Sequence, residues 1–103
     1  MSTQRQISGN VIEREKRDSK EPPLFNVVVH NDDYTPMPFV TNVLADVFNK
    51  SLETATIIML DVHKKGKGIA GTYTREIAET KSAIAMDRAR KEDHPFKLTV
   101  EPV

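Results

Sequence analysis

The chain has 103 residues, 38% of them hydrophobic and 29% charged, and its 15 basic side chains are balanced by 15 acidic ones. That bounds it to one domain with one modest core, and zero net charge without a block of like charges argues against a general electrostatic grip on nucleic acid. The absence of cysteine removes disulfides, thiolate metal sites and cysteine nucleophiles. No apolar run approaches a membrane span or a signal-peptide core, so the chain reads as a soluble, intracellular protein.

Residues 1–23 differ from the rest. Nine of the residues from Arg5 to Glu21 are charged, and Met1, Ile7, Val11 and Ile12 are the large apolar ones. Such a segment buries too little surface to offset its ordering entropy, so residues 1–23 read as a flexible extension ending at Pro22-Pro23. Residues 24–103 read as the folded domain.

Leu24 to His30 reads as a strand, with Phe25, Val27 and Val29 on one face and Asn26, Val28 and His30 on the other. Asn31-Asp32-Asp33 ends it. Thr35 suits a helix N-cap and Pro36 the first helical position. Val40, Val43, Leu44 and Val47 then recur at helical spacing, which predicts a helix over about 36–49. Ser51 is the expected cap of a second helix, whose apolar face is Leu52, Ala55, Ile58, Met59 and Val62. It stops at Lys64-Lys65-Gly66, where lysines suit the dipole and Gly the left-handed cap.

A short strand is expected over 68–73. Thr74 is the expected cap of a third helix through about Lys91, supported by Ile77, Ala78, Ile84, Ala85 and Ala89. Phe96, Leu98 and Val100 alternate with polar residues as a last strand. The order β-α-α-β-α-β predicts an α/β (α+β) fold, a small antiparallel sheet with helices packed on one face.

The densest polar cluster, Asn31-Asp32-Asp33, follows an apolar strand and precedes Thr35-Pro36-Met37-Pro38-Phe39-Val40. A turn accounts for part of it, since Asx side chains bond local backbone readily. If the first two helices form an antiparallel hairpin, His63 at the end of the second lies near this loop. Two acids and one His suggest a metal site or a hydrolase, but paired-His spacing and a nucleophile turn are both missing. Met37, Val40 and Val43 can instead face Met59 and Val62 across a cleft. An acid, an amide and an imidazole beside that cleft suit a ligand with a large apolar side chain and a cationic amine, such as a peptide's free N-terminus. Burying one such side chain contributes roughly 1.5–3 kcal/mol and each charged hydrogen bond about 1.5–3 kcal/mol. Both halves are needed to approach the roughly 8 kcal/mol of a micromolar complex.

The stretches "NDDYTPMPFV", "MLDVHKKG" and "GTYTREIAETK" resemble, in order and spacing, the motifs of the ClpS family. These adaptors carry N-degron substrates to the ClpA-type AAA+ unfoldase of the ClpP peptidase. The resemblance covers about residues 24–100. It implies three antiparallel strands with three helices, and a non-enzymatic adaptor that binds N-terminal Leu, Phe, Tyr or Trp. By position, Asn31, Asp32 and His63 would hold the α-amino group and first peptide unit. Thr35, Met37, Val40, Val43, Met59 and Val62 would line or border the side-chain pocket. Glu76 and Lys81, on the exposed part of the third helix, would dock on the unfoldase's N-terminal domain, and the extension would engage the unfoldase during hand-off. The resemblance further implies a cytoplasmic monomer that needs no cofactor, metal, nucleic acid or membrane. Pro38 stands where the family usually has Glu, which removes a charge near the pocket. The alternative is a ribosome- or RNA-associated α/β module, for which Lys64, Lys65 and Lys67 supply the basic cluster.

Overall fold

A computed structural model describes residues 21–103, so residues 1–20 of the expected extension lie outside the described part. The elements run β1 (Leu24–His30), α1 (Met37–Asp46), α2 (Leu52–Lys65), β2 (Lys67–Thr74), α3 (Arg75–Lys91) and β3 (Lys97–Pro102). This is the expected order. β1 is the central strand of the three, antiparallel to β2 on one side and to β3 on the other. His30 pairs with Lys67 and Lys97, so the polar loop after His30 leaves the sheet at the end where β2 and β3 begin. The β1–β2 register skips Ala70, with Val27 opposite Gly71 and Val28 opposite Ile69. That bulge turns both Ala70 and Gly71 inward, where each is buried.

The core lies between the sheet and the helices. Val27 and Val29 from β1 meet Val43 and Leu44 from α1, all fully buried, with Ala55, Val62 and Leu98 closing around them. Val28 is buried as well, although it is not part of this cluster. Helix α3 contributes differently from expectation. Its buried face is Ala78, Ser82, Ala85 and Ala89, while Ile77 and Ile84 stay about half exposed. A stripe of small residues lets the helix lie close to the sheet, and the larger isoleucines flank it. Leu52 is likewise exposed, because it precedes the first buried turn of α2.

Three helix ends differ from the expected boundaries or caps, each for a local reason. α1 begins one residue later, with Pro36 at the cap position and Met37 first, and no side chain caps it. Thr35 is therefore not the cap. α1 also ends at Asp46, since Asn49 takes a left-handed conformation (φ 58°) and the Lys50 N–H reaches Leu44 O. Thr74 occupies the cap position of α3 without a side-chain cap bond. By contrast Ser51 caps α2 as expected, accepting from the Thr54 N–H at 3.1 Å. α2 closes on Gly66, whose φ of 93° needs a residue without Cβ.

Two close approaches fix α2 against the sheet. A Cβ on Gly68 would come within 2.9 Å of Val62 Cγ2, so glycine permits β2 to pass directly beneath the helix that precedes it. The Asn31 N–H then donates to Gly66 O at 2.9 Å, extending the β1–β2 pairing into the polar loop. The end of α2 and the end of β1 are thereby stapled together.

Candidate binding site

That staple brings the Asn-Asp-Asp loop beside the last turn of α2, where the start of α1 completes an enclosure. The result is a cavity of about 210 Å³. Its polar side is Asn31, Asp32, Asp33 and His63; its apolar side is Met37 and Val40 from α1 with Met59 and Val62 from α2; Thr35 lies between the two. Nearly every residue singled out in the sequence borders this one space. Val43 does not: it is fully buried in the core and sits behind the wall. Asp33, to which the sequence assigned no role, does border it. The signal that could have placed it was adjacency, since a loop leaving the end of a strand turns successive side chains toward the same opening.

Asp32 organises the loop. Its Oδ1 accepts from the Tyr34 N–H at 2.8 Å and the Thr35 N–H at 2.7 Å, and its Oδ2 accepts from the Thr35 hydroxyl at 2.8 Å. Burial alone would push this carboxyl up. The Thr35 N–H and hydroxyl, the Tyr34 N–H and the nearby His94 outweigh that and hold it below the ordinary value of 3.8. Asp32 is therefore an anion at neutral pH. Thr35, having donated its proton to Asp32, presents only acceptor lone pairs to the cavity. With Asp33 beside it and the negative end of the α2 dipole at the same mouth, the polar side favours a cation that donates hydrogen bonds.

The apolar side is graded. Met37 at the lip is 41% exposed, whereas Val40 and Val62 inside are buried. A flexible thioether at an opening can adapt to what enters; β-branched walls cannot. Among the described residues no three His, Asp or Glu side chains converge so as to hold a metal ion, and no described helix is long and apolar enough to cross a membrane.

The two residues the resemblance assigned to unfoldase docking sit far apart in character. Glu76 is exposed in the first turn of α3. Lys81 is not a free surface group: it is half-buried, and its ammonium donates to Val47 O at 2.7 Å and Asn49 Oδ1 at 3.3 Å. It also lies 5.5 Å from the centre of the Tyr73 ring.

Taken together, a three-stranded antiparallel sheet with helices packed against it and a cavity that joins an anionic mouth to an apolar body define a small α/β domain with a two-sided cleft. Comparison with known proteins gives the family. The sequence profile described as ATP-dependent Clp protease adaptor protein ClpS matches residues 20–99, and the chain belongs to the ClpS family. Proteins called ATP-dependent Clp protease adapter protein ClpS are similar along most of its length. The one from Desulforapulum autotrophicum is 56% identical over 88 residues, 84% of this chain and 85% of the relative. The one from Caulobacter vibrioides is 48% identical over 95 residues, 92% of this chain and 87% of the relative. Among solved structures, Agrobacterium tumefaciens ClpS2 bound to L-phenylalaninamide superposes with a TM-score of 0.78 at 40% identity, covering 81% of this chain and all of that one. The family is one of protease adaptors, not proteases.

Proposed function

We propose that this chain is a cytoplasmic, monomeric adaptor that binds the free N-terminus of substrate proteins beginning with Leu, Phe, Tyr or Trp and delivers them to a ClpA-type unfoldase of the Clp protease. The observation that carries this reading is the cavity itself, in which an ionised Asp32, Asn31 and His63 stand at one side of a space walled by Met37, Val40, Met59 and Val62. An α-amino group has the charge and the N–H donors for the first half, and a bulky first side chain fills the second. The ligand held by the Agrobacterium relative, an aromatic amino acid amide, has the same two parts. Thr35 acts mainly by locking Asp32, and Val43 acts by backing the wall. Glu76 is the better placed of the two proposed docking residues, with residues 1–23 engaging the unfoldase during hand-off.

The test is a titration with peptides that differ only in their first residue and in N-acetylation. Leu- and Phe-initiated peptides are expected to bind with micromolar affinity. Acetylation removes the charge and leaves buried acceptors unpaired, so it should weaken binding at least 100-fold. Equal binding of acetylated peptides would overturn the amino-group site.

A further inference from the structure

The loop that borders the cavity also borders a second space. Tyr34, to which the sequence pattern assigns no role, lines an open groove of about 510 Å³. The rest of its lining is Arg90 at the end of α3 and Asp93, His94 and Pro95 from the connection to β3. Asp33 and Thr35, on either side of Tyr34, line the cavity instead. The loop is therefore a ridge one residue wide between cavity and groove, consecutive Cα atoms being about 3.8 Å apart.

We propose that this groove holds the third residue of a substrate whose first residue occupies the cavity, and that it favours an aromatic or aliphatic side chain there. This rests on the reading above that the cavity accepts a free N-terminus. The amino group and first peptide unit are held on the loop side, at Asn31 and Asp32, so the chain leaves the cavity along that loop. In an extended peptide successive side chains point to opposite sides, and each residue advances about 3.3–3.6 Å. With the first side chain in the cavity, the second points to solvent. The third returns to the surface about 7 Å further on, past the ridge and over the groove.

The floor of the groove is fixed before anything enters it. Asp93 takes a left-handed conformation (φ 60°), and the His94 N–H that follows donates to Ala89 O at 2.8 Å. The His94 ring meets that of Phe39 edge to face, with centroids 4.8 Å apart and planes at 72°, and its Nε2 lies 3.5 Å from Glu92 Oε1. The Arg90 guanidinium is held by Asp87 at 2.9 Å. Tyr34 is the opposite case: its N–H is engaged by Asp32, yet the residue is 81% exposed. An exposed phenol ring beside a fixed floor that includes Pro95 gains apolar burial when a side chain enters, and ordering it costs little because only two χ angles are involved. The charged groups of the lining, Arg90 and Asp93, have opposite signs, so the groove selects apolar bulk rather than charge.

The experiment titrates free-amine peptides that begin Leu-Gly-Gly, Leu-Gly-Phe or Leu-Phe-Gly and are otherwise identical, on the wild-type chain, Tyr34→Ser and Tyr34→Phe. Both substitutions keep the backbone N–H that Asp32 accepts, and a thermal melt verifies folding. On the wild type, Phe in third place should tighten binding roughly three- to tenfold over Leu-Gly-Gly, the size of one aromatic contact pair. Phe in second place should not. Tyr34→Ser should abolish the gain and leave Leu-Gly-Gly binding as in the wild type, whereas Tyr34→Phe should keep it. A gain undiminished in folded Tyr34→Ser, or one found only with Phe in second place, would overturn the proposal. If Leu-Gly-Gly binds but Phe in third place adds nothing on the wild type, the groove assignment alone is wrong. If no free-amine peptide binds, the adaptor reading falls and this proposal falls with it.

Discussion

Helix α1 is fastened at each end by one charged side chain, and the two fastenings leave very different things over. At its start the Asp32 carboxylate receives the Tyr34 and Thr35 N–H groups on one oxygen and the Thr35 hydroxyl on the other. At its finish the Lys81 ammonium reaches into Val47 O and Asn49 Oδ1 and lies against the Tyr73 ring. The Lys81 tie satisfies a carbonyl that the end of α1 would otherwise leave unpaired. The Asp32 tie instead pairs N–H groups of the loop that leads into the Pro36 cap. Asp32, however, opens onto a cavity and its Oδ2 carries a single protein bond, so acceptor capacity remains for a ligand. Lys81 borders no such space, and its ammonium is already hydrogen-bonded to two neutral oxygens of the fold. One charge holds the loop and borders a cavity; the other is enclosed by the fold.

The sharpest way to break this comparison is to neutralise Asp32 while keeping its shape. Asp32→Asn retains an oxygen for the two backbone N–H groups but loses the charge. It should weaken free-amine peptides by roughly 10–100-fold, the range expected for one charged hydrogen bond, with little change in the melting temperature. A large loss of stability with unchanged affinity would make Asp32 a loop residue only. At the other end, Lys81→Met keeps the aliphatic stem and removes the donor to Val47 O. The expected cost is about 1 kcal/mol of stability, measured by denaturant unfolding, with peptide affinity unaltered. An unchanged unfolding midpoint would return Lys81 to the pool of surface residues.

The smallest effect is in pH. Because the Asp32 carboxyl titrates below its ordinary value in the folded chain, its contribution to stability is in full force above about pH 4 and is lost as pH falls through the lowered value. Wild type should therefore be slightly more stable than Asp32→Asn at neutral pH, and that small difference should vanish in strong acid. Divergence on acidification would reverse the sign and refute the assignment.

Much of this was legible in the residues, though not evenly. Ser51 and Gly66 announce the two ends of α2 because each satisfies a backbone requirement through its own chemistry. Val27, Val29, Val43 and Leu44 announce the core through their spacing. Thr35 misled for an instructive reason: Asp32, three residues earlier, gathers the Thr35 N–H and hydroxyl into the loop, and α1 starts only at Met37 with Pro36 at the cap position. The isoleucines of α3 misled because hydrophobicity outranks size in a pattern reading, whereas close packing on the sheet selected Ala78, Ser82, Ala85 and Ala89. Asn31, Asp32 and His63 could be linked by topology alone.

Gly68 has no part in any of these interactions, yet it governs the caliper of the site. The imidazole jaw rides on α2 and the carboxylate jaw on the end of β1, and the two are registered through β2 passing under Val62 with only a hydrogen atom between. A single methyl group there would wedge the jaws apart from below. The spacing of the cavity's two sides is thus set at a position that does not border the cavity.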